Sequence, residues 1–256
     1  LVASYKQSNF QGRGQSLSFD LSTAETNRNL SFSFAEPQLL GRDLRLGVNL
    51  SYATTNNENA LYDTEKLRFS PSLTFPVSEN GRLTVLYAFD YADLTDVSSS
   101  ASDIIVNEAA LGGIATHSLG YTYSFDTRRS GLNPTAGVLL RFGQEMIGVG
   151  TNNQILSTTA LASAETKVWN EDVTLRFDLE GGALTGIGGG STRVTDRFFT
   201  NNQSFRGWRG NGIGPRDTGA VNNDALGGNY FAVARMESQF PLGLPDEYNI
   251  TGGVFM

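Results

Sequence analysis

The chain has 256 residues, a net charge of −7, no cysteine and one histidine, His117. That excludes thiolate catalysis, thiolate metal sites and any two-histidine metal motif, and it argues against nucleic acid as a main partner, because phosphate binding needs a basic face. No run approaches the roughly 18 consecutive apolar residues of a membrane helix, while 29 glycines and frequent Ser, Thr and Asn suit strands joined by many turns.

In chain order the dominant pattern is period two. Strands are predicted at about 1–9 and 15–23, where Leu17, Phe19 and Leu21 alternate with Ser16, Ser18 and Asp20, and at 29–36, where Leu30, Phe32 and Phe34 flank Ser31 and Ser33. Residues 43–54 repeat the pattern with Leu44, Leu46, Val48, Leu50 and Tyr52. Strands at 65–75, 82–92, 118–126, 137–146, 154–168, 173–185, 226–240 and 248–256 complete twelve. The runs at 17–21, 30–34, 44–52, 83–91, 119–125 and 173–179 each place one apolar face opposite a polar or small one. No helical stripe of comparable strength occurs. Segment 93–117, with its serines at 98–100 and 102, is expected to be a surface loop, and His117 a polar residue at its end. No linker or second domain is visible.

Alternation fits a soluble sandwich, with its apolar face inward, and equally a membrane barrel, with its apolar face toward lipid. The connections separate the two. Those at 10–14, 37–42, 76–81, 127–136, 170–172 and 241–247 are tight, and five of the seven prolines lie in or beside them. Those at 55–64, 93–117, 147–153 and 186–225 are longer and polar, with only 24–28 short. The two sets alternate strictly, as in an up-and-down barrel with short turns at one end and long loops at the other. The expected fold is therefore all-β, an antiparallel up-and-down transmembrane β-barrel.

The loop at about 186–225 stands out by its length, and loops so long are functional or disordered. Its centre holds Phe198, Phe199, Phe205, Arg206, Trp208, Arg209 and Arg216 among glycines. Such a tip suits a loop folded back into the lumen, with Arg206 needing acidic partners on the wall. Arg209 and Arg216 are compatible with lumen pairing or with solvent. Gly186–Gly190 lacks the Lys-Ser/Thr and following helix of a phosphate loop and is expected to be a flexible strand exit.

Phe205-Arg206-Gly207-Trp208 resembles the Val/Ile-Arg-Gly-Phe/Tyr motif of the sixth extracellular loop in the BamA family, and Gly212-Ile213-Gly214-Pro215-Arg216-Asp217 resembles its continuation. Residues 223–229 resemble the opening of the family's next strand. Glu36, Pro37, Gly41 and Arg42 resemble an early turn, and Asp126, Pro134, Thr135 and Gly137 a later one. The matches occur in family order over nearly the whole chain. The resemblance implies a sixteen-stranded barrel of which residues 1–256 supply about twelve strands, the family's second to about thirteenth, without the first strand, the last three or the preceding POTRA domains. It makes Glu237 the lumen partner of Arg206.

By the same resemblance the function is folding and inserting other β-barrels into the outer membrane of a Gram-negative-type cell. The implied partners are outer-membrane lipids, nascent barrel clients and accessory outer-membrane lipoproteins. No cofactor, metal or catalytic residue is implied, and no Gly-x-Ser-x-Gly elbow or other enzyme constellation occurs; Asp126 and Glu237 fit structural pairing. The alternatives are a translocation-assembly or two-partner-secretion barrel of the same superfamily, a passive porin or receptor barrel, and a soluble β-sandwich.

Overall fold

The computed structural model describes residues 1–24, 27–56, 61–128, 136–199, 206–208, 211–243 and 250–256. Among them twelve strands form one antiparallel sheet in which every strand pairs with its neighbours in sequence. The strands are β1 (Val2–Phe10), β2 (Gln15–Thr23), β3 (Asn27–Glu36), β4 (Arg45–Asn56), β5 (Asp63–Pro76) and β6 (Gly81–Thr95). They continue as β7 (Ile114–Asp126), β8 (Ala136–Ile147), β9 (Gln154–Val168), β10 (Val173–Ile187), β11 (Tyr230–Pro241) and β12 (Thr251–Phe255). All twelve predicted strands are present, with ends displaced by a few residues. The first and last do not pair with each other, so the sheet is an open arc of a barrel.

The register sorts the side chains. Gly47, Asn49 and Ser51 of β4 lie opposite Ser72, Ser70 and Arg68 of β5, and Arg68 lies opposite Asp90 of β6. On the other face, Leu50 opposes Phe69, Tyr123 opposes Phe142 and Phe177 opposes Met236. This second face is exposed: Phe69, Leu140, Phe142, Phe177, Leu179 and Met236 are all open to the surroundings. A sandwich would have covered them with a second sheet. Here they form the outer wall and the polar residues the inner one, the arrangement a lipid environment selects.

Curvature shows in the inner wall's ion pairs. Arg68 on β5 donates to Asp90 at 2.9 Å and to Glu145, three strands away on β8, at 2.8 Å. Strands in a flat sheet stand about 4.8 Å apart, which puts that carboxylate out of reach, so the sheet must curl around it. A polar cavity of about 1020 Å³ at the short-turn end, lined by Lys6, Ser18, Asn49, Thr84 and Asp126, occupies the concave side.

Two expectations need correction. Segment 93–117 is not one loop: β6 runs on to Thr95, β7 starts at Ile114, and a helix, α1 (Asp103–Ala109), lies between. His117 is not at a loop end. It lies within β7 on the outer face, opposite Phe89, where its Nδ1 meets the Tyr87 hydroxyl at 2.6 Å and its ring stacks on Tyr87.

The two faces predict opposite tolerances. In lipid vesicles, Phe142→Arg should cost the barrel roughly 2–4 kcal/mol of unfolding free energy, as a cation facing hydrocarbon does. Asn49→Lys, on the cavity side, should change it by less than about 1 kcal/mol. Equal losses in urea titrations of the two variants would refute the assignment of faces.

Candidate functional site

The long-loop end carries a structure of its own. Ser102 caps α1, its hydroxyl accepting from the Ile104 N–H at 3.2 Å, with Asp103 in the first turn; both features favour a helix start. One face of α1 buries Ile105 completely, against Tyr62, Leu94, Ala101, Val194 and Leu226. Three stretches between strands thus share a small apolar core, one through Leu61 and Tyr62, one through Ala101 and Ile105, and one through Val194 and Leu226. Burying one such side chain contributes roughly 1.5–3 kcal/mol, enough to hold loops together without a disulfide.

Buried carboxylates complete the cap. Glu108 of α1 accepts from the Val194 N–H at 2.8 Å and the Thr195 N–H at 3.5 Å, and faces Arg193 Nε at 3.4 Å. Asp224 accepts from the Ser102 N–H at 2.7 Å, and Asp217 accepts from the Ser102 hydroxyl and the Gly219 N–H. From the barrel wall, Lys66 Nζ donates to the Thr195 carbonyl at 2.8 Å. The strap 193–196 is therefore gripped from the helix on one side and from β5 on the other. Below it lies a cavity of about 540 Å³, with Arg193, Thr195 and Asp196 on one side and Arg68 and Asp90 on the other. Leaving a buried N–H without its partner costs roughly 1–3 kcal/mol, so Glu108 is structurally expensive to lose.

Two groups in the cap are shifted. The Ser102 hydroxyl, followed by the Gly219 N–H, holds the Asp217 carboxyl below the usual carboxylate range. Burial pushes the Tyr62 hydroxyl up to about 12, helped by the charges of Glu108 and Asp224.

The stem of the long loop then docks on the inner wall. Phe198 forms a bridge with Gly228, and its ring meets Phe231 of β11 edge-on, centroids 4.7 Å apart. Both rings lie over Gly182 of β10, where a Cβ would collide with them. Further along, Arg206 Nη1 lies 3.7 Å from Glu237 Oε1 on β11, and its guanidinium sits 4.6 Å above the Phe255 ring of β12. Neighbouring wall arginines have acids of their own, Arg176 with Glu165 at 2.6 Å and Arg235 with Glu180 at 3.3 Å. Among the described residues, Glu237 is the wall carboxylate that pairs with Arg206.

The expected Arg206–Glu237 pairing is thus present, yet Arg206 is not a buried anchor: its side chain is 53% exposed and that of Glu237 41%. Gly207 takes a positive φ of 85°, and Trp208 is exposed beside a cavity of about 480 Å³ that Arg206, Glu237 and Phe255 also line. Phe205 lies outside the described residues, as do Pro134 and Thr135. Arg216 takes the solvent alternative: it is exposed and donates to the Asn223 and Asn211 carbonyls.

The turn motifs have local causes. Glu36 accepts from the Gln15 side chain at 2.5 Å and from the Gln38 N–H, closing the turn through Pro37, where Gly41 has a φ of 72° and Arg42 donates its N–H to Leu39. Asp126 clamps Arg128 through both Nε and Nη2. Gly137 is required there, because a Cβ would strike the Arg128 backbone. Sequence reasoning missed Glu108, Lys66 and Tyr62, and gave no contact to Ser102 or to Asp224 of the 223–229 motif. The one available signal was the Ser-Asp pair before Ile104 and Ile105.

A model of the Omp85 superfamily domain matches residues 9–256. The chain belongs to the Omp85 superfamily. It is 26% identical to the outer membrane protein assembly factor BamA of Neorickettsia risticii, over 98% of this chain and 34% of that one. It is 27% identical to the sorting and assembly machinery component 50 homolog of Xenopus tropicalis, over 94% of this chain and 50% of that one. The crystal structure of BamA from Haemophilus ducreyi lacking POTRA domains 1–3 superposes with a TM-score of 0.79 at 22% identity, covering 99% of this chain and 53% of that one. This Omp85 chain therefore resembles a portion of the BamA barrel, and it spans a third to a half of the length of the curated relatives it matches.

Two measurements test the site. Tyr62 ionises near 10 in an unfolded chain and at about 12 here. Its contribution to docking is therefore complete below pH 10 and lost as pH rises through 12. The difference in tyrosinate absorbance between the wild-type Omp85 barrel and Tyr62→Phe should have its midpoint about two pH units above that of a free tyrosine; a midpoint near 10 refutes the burial. Separately, Gly182→Val should displace Phe198 and make the loop stem at least tenfold more sensitive to protease, with the barrel still folded. Unchanged cleavage would refute the docking.

Proposed function

We propose that the full-length protein is the insertase of an outer-membrane β-barrel assembly machinery in a Gram-negative-type bacterium. In this reading residues 1–256 supply the family's second to about thirteenth strands, and 186–225 is its sixth extracellular loop. The protein receives nascent β-barrels, works beside accessory lipoproteins and uses no covalent chemistry or cofactor. The observation that carries the reading is the Arg-Gly-Trp tip at 206–208, set against Glu237 on the strand that follows the loop, in a chain similar to BamA over 98% of its length. The physical basis is strand templating. An unpaired edge offers a row of N–H and C=O groups to an incoming strand, and a locally thinned bilayer lowers the barrier to its insertion.

Depletion of the full-length protein in its native cell, followed by quantification of the other outer-membrane barrels, tests this directly. A joint fall of porins with periplasmic accumulation of their precursors is expected. If a single exported substrate or one solute flux is lost instead, the protein is a secretion barrel or a pore. Arg206→Ala should slow client assembly while changing the barrel's own stability by less than about 1 kcal/mol, the range for a half-exposed ion pair. Normal assembly in that variant would remove Arg206 from the mechanism.

A further inference from the structure

The outer wall of β5 to β8 changes character near the long-loop end. Among the described residues, its outward side chains with a charge, an imidazole or an amide are Asp63, Glu65, Asp93, His117 and Gln144. All lie within four residues of their strand's long-loop end. Below them the outward set is apolar, with Leu67, Phe69, Val85, Phe89 and Phe142. Such a change marks the edge of the hydrocarbon, where aromatic side chains with a polar tip collect. Tyr52 and Tyr91 fit that edge, donating to Glu65 at 3.0 Å and to Asp93 at 3.5 Å. Gln144 is engaged at both ends of its amide, by the Tyr121 hydroxyl and by Thr158. His117 differs. Its Nδ1 meets the Tyr87 hydroxyl at 2.6 Å, and its Nε2 has no partner among the described residues. The ring is exposed and is held against Tyr87 and Phe89, with centroids 5.9 and 5.5 Å away.

We propose that His117 binds a membrane lipid, its Nε2–H donating to the phosphate of a headgroup in the leaflet at the long-loop end. Tyr87 prepares the ring: a hydroxyl that donates to Nδ1 leaves the one hydrogen of the neutral imidazole on Nε2. At the hydrocarbon edge an unpaired N–H is costly. A phosphate oxygen satisfies it better than a neutral lipid ester does, because an anionic acceptor makes the stronger bond. The approach from the β8 side is open to an anion. The acids of β8 and β9, Glu145 and Glu165, face the lumen and pair with Arg68 and Arg176 there. The adjoining segment 148–153 carries no charge, and it starts with the Gly148 and Val149 N–H groups on the His117 carbonyl, at 3.0 and 2.9 Å. The nearest outward carboxylates along the wall, Glu65 and Asp93, lie on the opposite side, on β5 and β6. The site needs only a lipid-facing outer wall and is independent of the assembly role proposed above.

Solid-state NMR on the wild-type, full-length protein reads this contact directly. The protein carries isotope-labelled histidine ring nitrogens and sits in vesicles of dioleoylphosphatidylglycerol. The His117 Nε2 signal should be lost when dephasing by phosphorus is applied. That signal is identified as the one missing from His117→Gln, or, where that variant does not fold, as the one shifted in Tyr87→Phe. Folding is checked by the heat-dependent gel mobility of the barrel. Survival of the signal under dephasing overturns the proposal. So does an equal loss in micelles of a phosphate-free detergent supplied with inorganic phosphate, which would make the ligand a free anion and not a lipid. The insertase reading stands or falls separately, on the depletion experiment, which reads no lipid contact.

Discussion

The structure depends on one constraint: in hydrocarbon a backbone N–H or C=O has no partner except another strand. This forces an uninterrupted antiparallel ladder, and the ladder's pleat forces alternation. Phe177 and Met236 face outward because Arg176 and Glu237 face inward one residue away. Once the apolar set is committed to lipid, the lumen inherits the polar set, and its charges must be matched across the curl. Arg68 shows how: it takes Asp90 from the adjacent strand and Glu145 from three strands on. That triad is an internal brace whose length fits only a curved wall.

Because the strands bury little apolar surface among themselves, tertiary packing of the soluble kind is displaced to the long-loop end. Most of the fully buried apolar side chains that do not belong to the ladder, such as Ile105 and Val194, lie there. The cap behaves as a miniature globular unit. It has a capped helix, an apolar centre, and carboxylates whose desolvation is offset by backbone N–H donors and an arginine. Its stability and the wall's come from different physical sources, so one can change conformation without the other.

This division explains what was legible in the sequence. Period two is a global signal, repeated in run after run along the chain, and the turn spacing fixes which ends are short. The Arg206–Glu237 contact was legible through the loop motif. Helix α1 was not, because seven residues are fewer than two helical turns and leave no measurable period of 3.6. Glu108 and Asp224 were not, because their partners are backbone N–H groups of Val194, Thr195 and Ser102. A peptide N–H has no residue identity, so a carboxylate that binds one leaves no pairwise trace. His117 was misplaced for the converse reason: a polar residue in an outward position breaks the alternation rule, and only the Tyr87 hydroxyl that satisfies it makes the position tolerable.

The exposure of the motif arginine has its own meaning. A guanidinium meant purely as a structural anchor would be expected to bind a carboxylate bidentately, as Arg128 does on Asp126. Arg206 instead sits 3.7 Å from a single carboxylate oxygen and over the ring of Phe255. Contacts of that kind are individually weak, about 1 kcal/mol or less each at exposed positions. The firm hold on the long loop lies at its base, in the Glu108 carboxylate on the Val194 and Thr195 N–H groups and in the Phe198 ring over Gly182. The tip can therefore leave the wall at small free-energy cost while the base stays fixed. A weak tip on a strong stem is the distribution of binding energy that permits movement without unfolding.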